Sequence, residues 1–129
     1  LWAQQPGIEW LGPTDTIERI YSAVDCVVLP SYREGMPRSL LEAGAMGLPA
    51  VTTNVPGCRN IVTAGYNGLL CDAKSTASLQ RAMLNMLHLT DDERRAMGAN
   101  GRTLVEHKYD ENRVVDATAR TVQSALHQL

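Results

Sequence analysis

Short apolar runs closed by turn residues alternate along this chain with longer stretches whose apolar positions recur every three or four residues. The first run, Ile8 to Gly12, lies between Pro6-Gly7 and Gly12-Pro13 and predicts a strand, with Trp10 in the core. Asp15 and Glu18 are spaced as a capping box, and Ile17, Ile20, Tyr21 and Val24 follow at helical spacing. Asp25 to Pro30 is a continuous apolar run closed by proline, the pattern of a parallel strand buried on both faces. Pro37 then suits the first position of a helix and Gly47 the left-handed position just past its end, with Leu41, Gly44, Ala45 and Leu48 as the buried stripe.

Further along, Ala50 to Thr53 predicts a third strand, Pro56 to Val62 a turn and short helix, and Gly68 to Cys71 a fourth strand after the Asn67-Gly68 turn signal. Beyond Asp72 the pattern is helical. Ser75 to Leu89 carries Leu79, Met83, Met86 and Leu87, and Thr90 with Glu93 forms a capping box that opens another helix. A last helix is expected from Asp110, with Val115, Ala119, Val122, Leu126 and Leu129 on one face.

Strands alternating with helices of this length predict an α/β fold, a Rossmann-like, doubly wound parallel sheet covered on both faces. In such sheets ligands bind beyond the carboxyl ends of the strands. Three loops therefore hold the candidate chemistry: Ser31 to Arg38, Asn54 to Asn60, and Gly12 to Asp15.

Composition narrows this picture. A chain of 129 residues is the size of one domain, and 44% apolar residues is ordinary for a globular protein. The net charge of -2, with basic residues scattered, gives no reason to expect nucleic acid as a partner. Cys26, Cys58 and Cys71 form no CxxC pair, and their odd number and wide spacing argue against both a disulfide framework and a zinc site. A reducing compartment, the cytoplasm, is the plain reading. His88, His107 and His127 have no partner spacing for a metal. The chain opens at Leu1, not at methionine, and reads as a piece of something longer.

Chemistry concentrates between Glu34 and Glu42. Glu34 falls in the loop after the second predicted strand, and Glu42 falls within the helix that starts near Pro37. Two carboxylates thus flank one helix N-terminus, where the amides of Gly35, Met36 and Arg38 and the positive end of the helix dipole suit a diphosphate. A nucleotide sugar has the matching layout, phosphates in the middle and hydroxyl-bearing rings at both ends. Spacing alone leaves a plainer account open: Arg38 and Glu42 as a solvated pair four residues apart, and Glu34 as an acid favouring the dipole from outside.

Sequence context bears on that choice. The run Pro30-Ser31-Tyr32-Arg33-Glu34-Gly35-Met36-Pro37-Arg38-Ser39-Leu40-Leu41-Glu42-Ala43 resembles the E-x7-E signature of retaining glycosyltransferases of family 4, which have the two-domain GT-B fold. Ala45-Met46-Gly47-Leu48-Pro49-Ala50-Val51 resembles the family's entry to the next strand, Gly65-Tyr66-Asn67-Gly68-Leu69-Leu70 the strand after that, and Met97-Gly98 through Gly101-Arg102 its late helix. The resemblance runs over essentially the whole chain. It implies the C-terminal, donor-binding domain, residues 1–129, incomplete at its N-terminus and without the acceptor domain.

By that resemblance Glu34 contacts hydroxyls of the transferred sugar and is the catalytic candidate. Glu42 accepts from the ribose, and Gly35, Met36 and Arg38 present amides to the diphosphate or the sugar; Ser39, in the first turn of the helix, either offers a hydroxyl to the phosphates or stands as a solvated helix-start serine. The resemblance also implies transfer of a hexose from a nucleotide-diphosphate sugar, a UDP-sugar being favoured, to a glycan or polyprenyl-linked acceptor. Configuration is retained, with no obligatory metal or other cofactor. The Met-Pro-Arg-Ser between the carboxylates resembles a bacterial subgroup that builds surface or lipid-linked polysaccharides. A place at the inner face of the membrane would come through the acceptor domain. Asn60 stands where many relatives carry an acid, Arg59 reads as a capping arginine, and Cys58 as a small packed residue.

The family places two further strands and a phosphate-gripping loop ahead of Ile8, so the chain alone is expected to be inactive and Ile8 to Gly12 is expected to lack its usual neighbour. Two alternatives stand beside the transferase. One is a non-catalytic nucleotide-sugar-binding module completed by a partner chain, and the other a GT-B nucleotide-sugar epimerase.

Overall fold

A computed structural model describes residues 5–32, 35 and 37–110 of the chain. In order the elements are α1 (Ile17–Tyr21), β1 (Val27–Leu29), α2 (Arg38–Ala45), β2 (Ala50–Thr53), α3 (Pro56–Arg59), β3 (Gly68–Cys71), α4 (Thr76–His88) and α5 (Asp91–Asp110). The three strands form one parallel sheet in the order β1-β2-β3, with Val28 opposite Val51 and Val51 opposite Leu69. The expected α/β architecture is thus present, each strand joined to the next by a helical crossover.

Apolar cores lie on both faces of the sheet. One gathers Leu40, Leu41 and Ala45 of α2 with Ala50, Val55, Cys58, Ile61, Val62 and Val105, and Leu29 and Leu70 pack against it. The other gathers Val51 and Cys71 with Ala82 and Met86 of α4 and Met97 of α5, and Val28 and Leu69 pack against that one. Neighbouring strand residues such as Ala50 and Val51 go to opposite cores, as a pleated strand requires. Burying Leu40, Leu41 and Met86, each at most 1% exposed, stabilises the fold by about 2 kcal/mol apiece.

The site helix α2 is closed by local chemistry. Gly47 takes φ +73°, its N–H donates to the Gly44 carbonyl at 3.0 Å, and the Leu48 N–H donates to the Ala43 carbonyl at 2.9 Å. This is a Schellman turn, and it sends the chain directly into β2. Thr52 and Thr53, both buried, hold the start of the 31–37 loop. The Thr52 hydroxyl donates to the Leu29 carbonyl at 2.8 Å, and the Thr53 hydroxyl accepts from the Ser31 N–H at 2.9 Å. The Thr90 and Glu93 capping box is made as expected, Glu93 Oε1 accepting from the Thr90 N–H at 2.9 Å and Thr90 Oγ1 from the Glu93 N–H at 3.1 Å.

Several expectations are corrected. Ile8 to Gly12 forms no strand, because a run becomes a strand only where a neighbour meets its N–H and C=O groups, and no described strand does so. Ile8, Trp10 and Leu11 are 42%, 69% and 54% exposed, so Trp10 is not core. Asp15 does not cap α1. Its N-cap is Thr16, without a side-chain cap bond, and the Thr14 hydroxyl accepts from the Thr16 N–H at 3.0 Å. The second predicted strand shortens to β1 and is half-buried, since it lies at the edge of the described sheet.

On α4, Met83 and Leu87 are exposed. Steps of four residues drift about 40° per step around a helix, so the buried face follows Leu79, Ala82 and Met86 instead. Pro37 sits one position earlier than expected, as the N-cap of α2 with φ -71° and ψ 111°. The described part of α5 is continuous to Asp110, and the helix expected from Asp110 to Leu129 lies outside the described residues.

Candidate functional site

The N-terminus of α2 opens at the carboxyl end of β1, where a doubly wound sheet places its ligands. Extended backbone at Pro37 turns the chain into the helix, and the Leu40 and Leu41 N–H groups both donate to the Pro37 carbonyl, at 3.2 and 3.4 Å. The amides of Arg38 and Ser39, the first two helical residues, have no acceptor within α2. Arg38 is exposed and Ser39 half-buried. Gly35 is exposed, and a Cβ built there would meet nothing within 4 Å. Glu34 and Met36, with Arg33, lie outside the described residues.

Glu42 stands one turn into α2. Its Oε1 lies 3.9 Å from Arg38 Nε, an ion pair without the reach of a hydrogen bond. The two side chains differ in exposure, 64% for Arg38 and 19% for Glu42, so this is not the freely solvated pair that spacing left open. Burial pushes the Glu42 carboxyl above its ordinary pKa; the Arg38 guanidinium pulls it back and the Glu18 carboxylate pushes it further up. The Tyr21 phenol is also raised, first by burial and then by the Glu42 charge. Helix α1 therefore brings Glu18 and Tyr21 within electrostatic reach of Glu42.

Sequence reasoning missed these two α1 residues. The signal was present in their three-residue spacing on a helix that leads into β1, but nothing in the pattern pointed that face toward α2. The structure thus joins Arg38, Ser39 and Glu42 at one helix start and adds Glu18 and Tyr21 to them. The arrangement can accept hydrogen bonds from hydroxyl groups at a carboxylate and donate backbone N–H groups to an anion.

Other sequence candidates fall elsewhere. Cys58 is fully buried, and Cys26, Cys58 and Cys71 are all free thiols. Arg59 is exposed and reaches Asn54 Oδ1 at 3.5 Å. Arg94, which the sequence did not single out, closes α4 by donating from Nη1 to the carbonyls of Met86, Leu87 and Leu89 at 3.0, 3.2 and 2.6 Å and pairing through Nη2 with Asp91 at 2.5 Å. It lines a cavity of about 270 Å³ with Asp25, Gly47 and Pro49, at the amino ends of the strands and away from the N-terminus of α2. No helix among the described residues is long and apolar enough to cross a membrane.

Comparison with known proteins gives this geometry its family. The family described as Glycosyl transferases group 1 matches residues 3–104. An N,N'-diacetylbacillosaminyl-diphospho-undecaprenol alpha-1,3-N-acetylgalactosaminyltransferase of Campylobacter jejuni is 33% identical over 105 residues, 81% of this chain and 27% of that protein. The C-terminal domain of a group 1 glycosyl transferase of Francisella tularensis, LpcC, superposes with a TM-score of 0.63 at 32% identity, covering 78% of this chain and 51% of that one. HepE of Anabaena, solved in complex with UDP and glucose, superposes with a TM-score of 0.77 at 21% identity over 97% of this chain and 33% of its own, a likeness of fold. The chain spans about a quarter of the length of the curated relatives it matches. With residues 3–104 matched and the fold shared with solved members, the chain belongs to the group 1 glycosyl transferases, as a part of the GT-B fold.

Proposed function

We propose that this chain is the donor-binding, C-terminal half of a glycosyltransferase that moves a hexose from a nucleotide-diphosphate sugar to a glycan or polyprenyl-linked acceptor, with retention of configuration. The observation that carries this reading is Glu42, a mostly buried carboxylate one turn beyond the Arg38 and Ser39 amides at the start of α2. The amides and the helix dipole receive the diphosphate, Glu42 accepts from the ribose, and Glu34 meets hydroxyls of the transferred sugar, with Gly35 and Met36 lining the approach.

Catalysis on this reading is electrostatic. Fixed donors at the helix terminus stabilise the departing diphosphate while the acceptor hydroxyl attacks the face it leaves, and the diphosphate takes the proton. The acceptor domain and the loop that grips the phosphates come from the rest of the protein, so residues 1–129 alone do not transfer sugar. A UDP-sugar is the favoured donor. Support comes from an Escherichia coli relative, a UDP-Gal:alpha-D-GlcNAc-diphosphoundecaprenol alpha-1,3-galactosyltransferase, 36% identical over 83 residues, and from HepE with UDP. The lipid-linked acceptors named for the Campylobacter jejuni and Escherichia coli relatives support a lipid-linked acceptor here, and on this reading bacterial polysaccharide is assembled at the inner, cytoplasmic face of a membrane.

The test is a calorimetric binding panel of UDP-, GDP- and ADP-sugars on the full-length protein beside its Glu42→Ala variant. One nucleotide series binds, and the substitution weakens it roughly 10- to 100-fold, the worth of a hydrogen bond to a charged group. Failure of every donor to bind, or equal binding by the variant, would sink the proposal. The anomeric configuration of the product, read by NMR, tests retention separately.

A further inference from the structure

The carboxyl ends of the strands also border a second space, apart from the α2 terminus. A cavity of about 240 Å³ opens there, lined by Tyr32 beyond β1, Thr53 at the end of β2, Asp72 and Lys74 beyond β3, and Thr76 and Leu79 of α4. Leu79 packs with the core on the α4 face of the sheet, whereas α2 packs on the other face. The volume lies below the range of roughly 300 Å³ and upward that drug-sized ligands occupy, and it suits a single ring.

Its chemistry is that of a neutral, hydroxyl-bearing ring. The Asp72 carboxylate and the Lys74 ammonium balance in charge, which disfavours an anion and offers one strong acceptor and one strong donor. Tyr32 is 69% exposed and presents a flat apolar surface. The Lys74 ammonium stands over that ring, 6.0 Å from its centroid, so aromatic face and donor converge on the same opening. Lys74 is held there by a left-handed backbone, φ +58°, which residues other than glycine rarely adopt. A pyranose has both parts this lining needs, a flat C–H face to lie on the tyrosine as the exposed Lys74 ammonium swings off the ring, and a rim of hydroxyls for the carboxylate, that ammonium and the Thr76 hydroxyl.

We infer that this cavity is a subsite for a pyranose unit of the acceptor, carried by the donor domain itself and separate from the place of the transferred sugar. The inference rests on the glycosyltransferase reading for the word acceptor, and on the cavity alone for the pyranose.

Two measurements on the full-length protein test it. Saturation-transfer NMR with a panel of methyl hexopyranosides shows binding to the wild type, loss in Tyr32→Ala and recovery in Tyr32→Phe, which keeps the ring. In steady-state kinetics, Tyr32→Ala and Lys74→Gly each raise KM for the acceptor by about tenfold, the worth of one stacking or charged contact, and leave KM for the nucleotide sugar unchanged. Lys74→Gly is chosen because glycine accepts the left-handed backbone, so a change there reports the ammonium and not the fold. The inference is overturned if no hexopyranoside binds, if the variants bind as the wild type does, or if KM for the nucleotide sugar rises in step, which would mean that these residues only support the 31–37 loop. Hexopyranoside binding through Tyr32 in a protein that transfers from no nucleotide sugar overturns the glycosyltransferase reading and the acceptor assignment, and leaves the pyranose site standing. Transfer with both KM values untouched overturns the subsite alone.

Discussion

Replacing Gly98 by alanine tests how α5 holds the site helix in place. An ideal Cβ at Gly98 would lie 1.9 Å from the Gly47 carbonyl oxygen and 2.7 Å from its carbon, on the turn that ends α2. The obstacle is backbone and cannot rotate aside, so α5 must lift by roughly an ångström or more before the contact reaches ordinary van der Waals distance. Overpacking costs about 1–3 kcal/mol, and a backbone obstacle places this case at the upper end. Alanine recovers about 1 kcal/mol of helix propensity, leaving a net loss of about 2 kcal/mol.

Gly101, one turn along the same helix, is the control. A Cβ there would meet Asn67 Cβ at 3.5 Å and Gly44 Cα at 3.7 Å, ordinary contacts, so Gly101→Ala keeps the propensity gain and stabilises by up to about 1 kcal/mol. Urea denaturation followed by circular dichroism should separate the two midpoints by about 1.5 M, for a slope near 2 kcal/mol/M, without a change of slope. Equal midpoints, or Gly101→Ala as the less stable variant, would refute the close crossing of α5 over the Gly47 turn.

Three further outcomes follow from other contacts. Asn67, 5% exposed, accepts from the Thr63 N–H at 2.7 Å and donates to the Ile61 carbonyl at 2.9 Å, so Asn67→Ala strands two backbone groups and should cost about 2–3 kcal/mol by the same denaturation assay. Arg94→Lys replaces a planar fork that reaches three carbonyls by a single ammonium, and should lower the thermal midpoint by several degrees, about 1 kcal/mol or more. Glu42 carries a raised pKa in the folded state, so the stability linked to its proton is fully present below the unfolded-state pKa and is lost as pH rises through the folded value. Between those two values stability should fall with rising pH by a component that Glu42→Gln removes. Over the same window donor binding should strengthen, because the carboxylate accepts from the ribose by a charge-assisted bond that the neutral acid lacks.

What the sequence made legible were elements with local punctuation. β2 and β3 stand where Pro49 and the Asn67-Gly68 turn bracket short apolar runs, and the α5 start follows from Thr90 and Glu93, whose partners are three residues apart. Ile8 to Gly12 has the same local pattern and forms no strand, because a pattern specifies what can pair and not whether a neighbour is beside it. In the site, Arg38 and Glu42 were visible as a pair, but the partial burial of Glu42 and the Glu18 charge that acts on it from α1 depend on packing that no periodicity encodes. The crossing of α5 over Gly44 and Gly47 was equally hidden, since a glycine chosen for close approach looks in sequence like any other.

Helix α5 buries Met97 in the core that α4 shares and Val105 in the core that α2 shares. The two faces of the sheet are therefore fastened by one rod, and neither can be peeled from the sheet while the other stays whole. A fragment meant to keep the α2 terminus in shape must retain the chain through Val105, and through Lys108, whose ammonium donates to the Asn60 carbonyl at 2.6 Å. An incision before Val105 would leave the strands and the α2 sequence intact and still loosen the carboxylate at Glu42, some sixty residues away along the chain.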